Sequence, residues 1–183
     1  MWGRSLEKLT KRFRRDASGA TAVEFALIAG PFFALIFAVI ESTMIFFASV
    51  TLENGLLEVS RYIRTGQAQQ LDMTAGEFKS ALCAEIDMML DCDNLTVEIE
   101  TFDNFTSVEF SEPIDDNGNF TATPNYDIGH AGDIVMVRVY YAWDVFTPGV
   151  GFVMSNMNDG KQRLLSASTA FRNEPFGSVL GGS

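Results

Sequence analysis

Apolar residues are crowded into one stretch of the chain and patterned elsewhere. From Phe25 to Ile40 no charge interrupts the sequence, and after Glu41-Ser42-Thr43 it is apolar again through Val50. A helix that crosses a bilayer needs about 20 mostly apolar residues. Phe25 to Val50 meets that length if Glu41 lies near one interface. Beyond it, Leu52, Leu56, Val59 and Ile63 recur at spacings of four, three and four, which is one face of a continuing helix. Thr65-Gly66 offers its stop, with Arg61 and Arg64 in the last turn. A helix from about Asp16 to Arg64 would extend ~70 Å at 1.5 Å per residue.

A second helix follows in "TAGEFKSALCAEIDMML". Thr74 with Glu77 three residues later predicts a capping box, and Phe78, Leu82, Ile86 and Met89 form its apolar face. The period then changes. "LTVEIETF" alternates Leu95, Val97 and Ile99 with polar residues, the pattern of a half-buried strand. "FTSVEF" is the expected partner across Asp103-Asn104. The stretch from Ser111 to Asp133 reads as a long loop. "DIVMVRVYYAWDV" predicts a strand with Val135, Val137, Val139, Tyr141 and Trp143 on one face, and "RLLSASTAFR" a final strand. Helix first and strands later gives an α+β plan with an antiparallel sheet.

Charge gives the chain a direction. The first 19 residues hold six basic and two acidic side chains; of totals of 13 and 24, the remainder holds seven basic and 22 acidic. A basic flank before an apolar run favours a cytoplasmic N-terminus. The acidic body excludes a nucleic-acid face, which would need to be basic. A cleaved secretory signal would carry an apolar stretch of about 7–15 residues, and this one is longer. Neither that reading nor a plain anchor explains Glu24, because an unpaired charge in a membrane helix costs roughly 2.5–3.5 kcal/mol on insertion scales.

The segment "GATAVEFALIAGPFFALIFAVIES" resembles the N-terminus of TadE/TadF-like minor pseudopilins of Tad (Flp) pilus systems. Gly19, Val23, Glu24, Phe25, Ala26, Leu27, Pro31 and Glu41 fit that pattern, and "AFRNEPF" resembles a tail seen in some members. The resemblance implies a prepilin peptidase cutting between Gly19 and Ala20 and removing the basic leader 1–19. Residues 20–66 would then form a transmembrane and spine helix, and residues 67–183 a periplasmic α+β domain. It implies that Glu24 pairs with the amino terminus freed on a neighbouring subunit. The partners it implies are the lipid bilayer, an inner-membrane assembly platform and other pilins or pseudopilins. Pro31 is either a tolerated kink or a bend used when the helix repacks in a filament.

Candidate chemistry is sparse. Outside the cytoplasm Cys83 and Cys92 are expected to form a disulfide, and His130, the single histidine, is too remote in sequence to complete a metal set with them. "DDNGN" at Asp115–Asn119 lacks the glycine and glutamate of a calcium loop and reads as an acidic turn. No nucleophilic elbow, phosphate loop or zinc-protease motif is present, so neither an enzyme nor a cofactor is expected. The alternative is an uncleaved membrane-anchored periplasmic binding or sensor module, which has no need of Gly19 and Glu24.

Overall fold

The computed structural model describes residues 19–108, 113–147, 149, 151–158 and 160–176; the leader residues 1–18 lie outside them. The chain divides into two compact units, Met1–Ile40 and Glu41–Ser183. One helix, α1, spans Ala20–Arg64. In the first unit its apolar side chains are exposed on every side, among them Phe25, Leu27, Phe32, Leu35 and Phe37. A helix apolar all round has no aqueous face, and this one is long and apolar enough to cross a membrane. Pro31 sits inside it, where its ring removes the donor that would bond the carbonyl of Leu27.

In the second unit α1 changes character. Ala48, Leu52, Leu56, Val59 and Ile63 are at most 1% exposed, so the predicted stripe is the core face. The helix stops where Gly66 adopts φ 78°, a left-handed conformation cheap only for glycine. A Cβ there would also meet the ring of Phe176 at 2.1 Å. The carbonyl of Arg64 accepts from the N–H of Glu174 at 2.8 Å, so the "RNEPF" segment closes the end of α1. A four-residue helix, α2 (Gln67–Gln70), follows directly.

Helix α3 runs from Ala75 to Ile86 with the expected capping box between Thr74 and Glu77. Phe78, Leu82 and Ile86 are fully buried. The helix packs so closely on α1 that a Cβ at Gly55 would meet Ile86 at 2.6 Å. Cys83 and Cys92 are joined by a disulfide with Cα atoms 5.8 Å apart, which ties α3 to the start of the sheet.

The sheet has four strands: β1 (Leu95–Phe102), β2 (Asn125–Tyr126), β3 (Ile134–Asp144) and β4 (Gln162–Arg172), in the order β2-β1-β3-β4. A one-turn helix, α4 (Gly151–Met154), stands between β3 and β4. Val135, Val137, Val139, Tyr141 and Trp143 share the core with α1 and α3, as their alternation predicts. The class is α+β, but two expectations fail. The sheet is mixed rather than antiparallel, since β2 pairs parallel with β1. "FTSVEF" opens on a 3-10 turn, Phe105–Ser107, and no strand forms over its described residues; residues 109–112 lie outside them. The Asn104 side chain accepts from the N–H of Ser107 at 2.9 Å, and such a local bond competes with a strand ladder. The antiparallel partner of β1 is instead β3, with Leu95 opposite Tyr141 and Phe102 opposite Ile134.

Candidate functional site: two glutamates on one helix

Helix α1 carries a carboxylate in each unit, and their surroundings are opposite. Glu24 is exposed, as are its neighbours Val23 and Phe25. Among the described residues it belongs to no salt bridge. Gly19 lies in front of the first helical residue, Ala20, and none of the described residues comes within 4 Å of the place a Cβ would take. The end of α1 therefore presents an open glycine–alanine junction five residues before a carboxylate on an apolar surface.

Glu41 is fully buried in the second unit. Three donors converge on it. Trp143 Nε1 donates to Oε1 at 3.3 Å, while the Thr147 N–H and hydroxyl both donate to Oε2, at 3.0 and 2.7 Å. No cation among the described residues forms a salt bridge with it. The arrangement is an acceptor seated among neutral donors, tying α1 to the end of β3. Sequence patterning set this residue near one membrane interface; its side chain is buried within the second unit. Trp143 was legible as a core position, but its pairing with a residue 102 positions earlier had no sequence signal.

A second buried polar group lies on the sheet face turned away from α1. Arg138 on β3 is 6% exposed and Glu98 on β1 is 7% exposed. Arg138 Nε lies 3.0 Å from Glu98 Oε2, and its guanidinium also pairs with Glu100. Tyr140 donates its hydroxyl to Glu98 at 3.1 Å. Burial, reinforced by the Glu98 charge, pushes the Tyr140 phenol up to about 12, so it remains a donor. Phe120 covers Tyr140 edge-to-face, with centroids 5.5 Å apart. Glu98 faces Arg138 directly in the ladder. The signal was present as polar positions alternating along "LTVEIETF", but the register that joins them was not.

The remaining polar candidates are built into loops. Asp115 accepts from the N–H groups of Asn117 and Asn119 at 2.9 and 2.8 Å, and from the Asn119 side-chain amide. The Asn119 bonds hold its carboxyl below the usual range. Its oxygens thus close their own turn. The backbone N–H of His130 donates to Asp133 Oδ2 at 2.7 Å. Its carbonyl accepts from the amide of Asn173, a buried residue of the "AFRNEPF" motif that clamps this loop to the end of β4. Among the described residues no three His, Cys, Asp or Glu side chains gather as a metal set.

No curated protein and no solved structure matches the chain. A family profile described as TadE-like protein matches residues 19–65, so it begins at the open glycine, spans both glutamates and ends with α1. Over that segment the chain is similar to the TadE-like proteins.

Proposed function

We propose that this chain is a minor pseudopilin of the Tad pilus, a structural subunit with no catalytic role of its own. In this reading a prepilin peptidase cuts between Gly19 and Ala20 and the leader 1–19 is lost. The mature chain stands in the inner membrane on its apolar helix, with the acidic domain in the periplasm. It enters or primes a filament, and so serves surface attachment, through contacts with other pilins and an assembly platform. The observation that carries the proposal is the coincidence at one helix end. The family match begins at Gly19, no described residue crowds that glycine, and Glu24, on an apolar surface, forms no salt bridge among the described residues. A carboxylate in hydrocarbon needs a partner, and cleavage creates an ammonium on every neighbouring copy.

The cut is tested by intact-mass measurement of the chain extracted from membranes. A mature N-terminus at Ala20 is expected; one at Met1, or beyond Val50, overturns the processing. Pairing is tested separately. Glu24→Ala is expected to leave cleavage and membrane insertion intact while piliation falls. Normal piliation in that variant would refute the role of Glu24.

A further inference from the structure

Strand β4 is a sheet edge, and one part of it is left open. In an antiparallel strand the N–H and C=O of a residue point to the same side, and the side alternates. Two sets of bonds fix which residues point outward. The N–H of Leu164 donates to the Asn156 side chain at 2.7 Å, and the carbonyl of Gln162 accepts from the N–H groups of Asn156 and Met157. Asn173, by contrast, exchanges bonds with Asp133 and Gly132 on the β3 side. The even-numbered residues of β4 therefore face away from β3. Asn156 closes the first of them, and beyond the strand the N–H of Glu174 is taken by Arg64. Between these closures, the outward groups of Ser166, Ser168 and Ala170 bond to nothing among the described residues.

Within its own sequence the open part also lacks the devices that protect edges. A free edge is normally guarded by lysine, proline, a bulge or a covering loop. From Leu164 to Phe171 the strand has no charge and no proline, and its pairing with β3 is unbroken from Gln162 to Arg172. Ser166, Ser168 and Ala170 are small and exposed, so another backbone can approach.

We propose that this edge pairs with the same edge of a second copy of the chain, antiparallel and two-fold about Ser168, to form an eight-stranded sheet. The open window is centred on Ser168, and this register uses all of its outward groups. It sets Ser166 opposite Ala170, and the ladder ends where Asn156 covers Leu164. The charges also agree. Arg163 and Arg172 never face their own counterparts. Elsewhere the domain is strongly acidic, with 22 acidic and seven basic residues after Gly19, so two copies repel except along a neutral strip with basic ends. The inference rests on the sheet and does not require cleavage at Gly19.

Both native cysteines are bonded to each other, so a cysteine introduced at Ser168 supplies a free thiol with none of its own kind nearby in the chain. In the proposed register two such cysteines face each other as a hydrogen-bonded pair with Cα atoms roughly 5.5 Å apart, within disulfide reach. Mild oxidation of membranes containing the full-length Ser168→Cys chain is expected to give a covalent homodimer. Met88→Cys, at a position 93% exposed, is expected to stay monomeric. Adding Ser166→Lys and Ala170→Lys to the Ser168→Cys chain opposes two pairs of like charges, and dimer yield should drop about tenfold while far-UV circular dichroism is unchanged. Three results would overturn the proposal. They are a Ser168→Cys chain that takes maleimide yet gives no dimer, cross-linking to a different protein in place of a second copy, and dimer yields equal to those of Met88→Cys or unmoved by the lysines.

Discussion

Glu41 shows what the partners of one residue add to the pattern around it. Its neighbours in sequence are apolar, yet three donors of the domain end on its two oxygens. Glu41→Gln keeps the size but turns an amide NH2 toward groups that are themselves donors. Hydrogen bonds to charged groups are worth roughly 1.5–3 kcal/mol each. A stability loss of about that size is expected in denaturant unfolding of the detergent-solubilised chain, followed by tryptophan fluorescence. An unchanged midpoint would mean that the three contacts contribute nothing. Arg138 poses the reverse case, a buried cation held by two carboxylates. Arg138→Met leaves Glu98 buried with only Tyr140 for company, and breaking a buried pair this way costs about 3–5 kcal/mol. Adding Glu98→Leu should recover part of that loss, because the uncompensated charge goes too. A double variant no more stable than the single one would show that the loss lay in packing.

At the scale of elements, local chemistry was legible and pairing was not. The α3 cap is written in Thr74 and Glu77, three residues apart, and both of its reciprocal bonds form. The two Thr74 bonds hold the Glu77 carboxyl below its ordinary 4.5. A depressed carboxyl contributes stability above the unfolded value and loses it as pH falls through the folded one. Thr74→Ala keeps the backbone N–H bond but loses the hydroxyl, so it should lower the melting temperature at pH 7, and the gap to the parent should narrow in part below about pH 4.5. Melting curves from pH 7 to 3 check this, and a gap constant with pH would contradict it. The α1 stripe, the core face of β3 and the strand β4 were equally readable, because each is a period written in neighbouring residues. The partner of β1 was not. "FTSVEF" alternates as a strand would, but the Asn104 side chain turns the chain into a 3-10 helix first. The ladder of β1 was then made with β3, across an intervening stretch whose length leaves no mark on the alternation of either strand. The Arg138 cluster and the seat of Glu41 stayed hidden for the same reason, since each is assembled from residues far apart in sequence.

At the scale of the whole molecule, the sequence reading starts the periplasmic domain after Gly66, whereas the compact unit begins at Glu41. The difference decides which fragments can fold. Leu52, Leu56, Val59 and Ile63 are at most 1% exposed, and burying such a side chain stabilises by about 1.5–3 kcal/mol. Four of them contribute about 6–12 kcal/mol, comparable to the 5–15 kcal/mol that typically separates a folded domain from its unfolded chain. A fragment starting at Gln67 loses this face and leaves Phe78, Leu82, Ile86 and the inner sheet positions without a cover. It also loses Glu41, so the donors of Trp143 and Thr147 are stranded. A fragment of residues 41–183 keeps all of them and omits the apolar helix surface before Ile40. Expressed in an oxidising compartment, residues 41–183 are expected to be soluble, to form the Cys83–Cys92 bond and to melt cooperatively. Residues 67–183 are expected to aggregate or to unfold without a transition. A cooperative melt from the shorter fragment would show that the second half of α1 is an appendage of the domain and not a wall of its core.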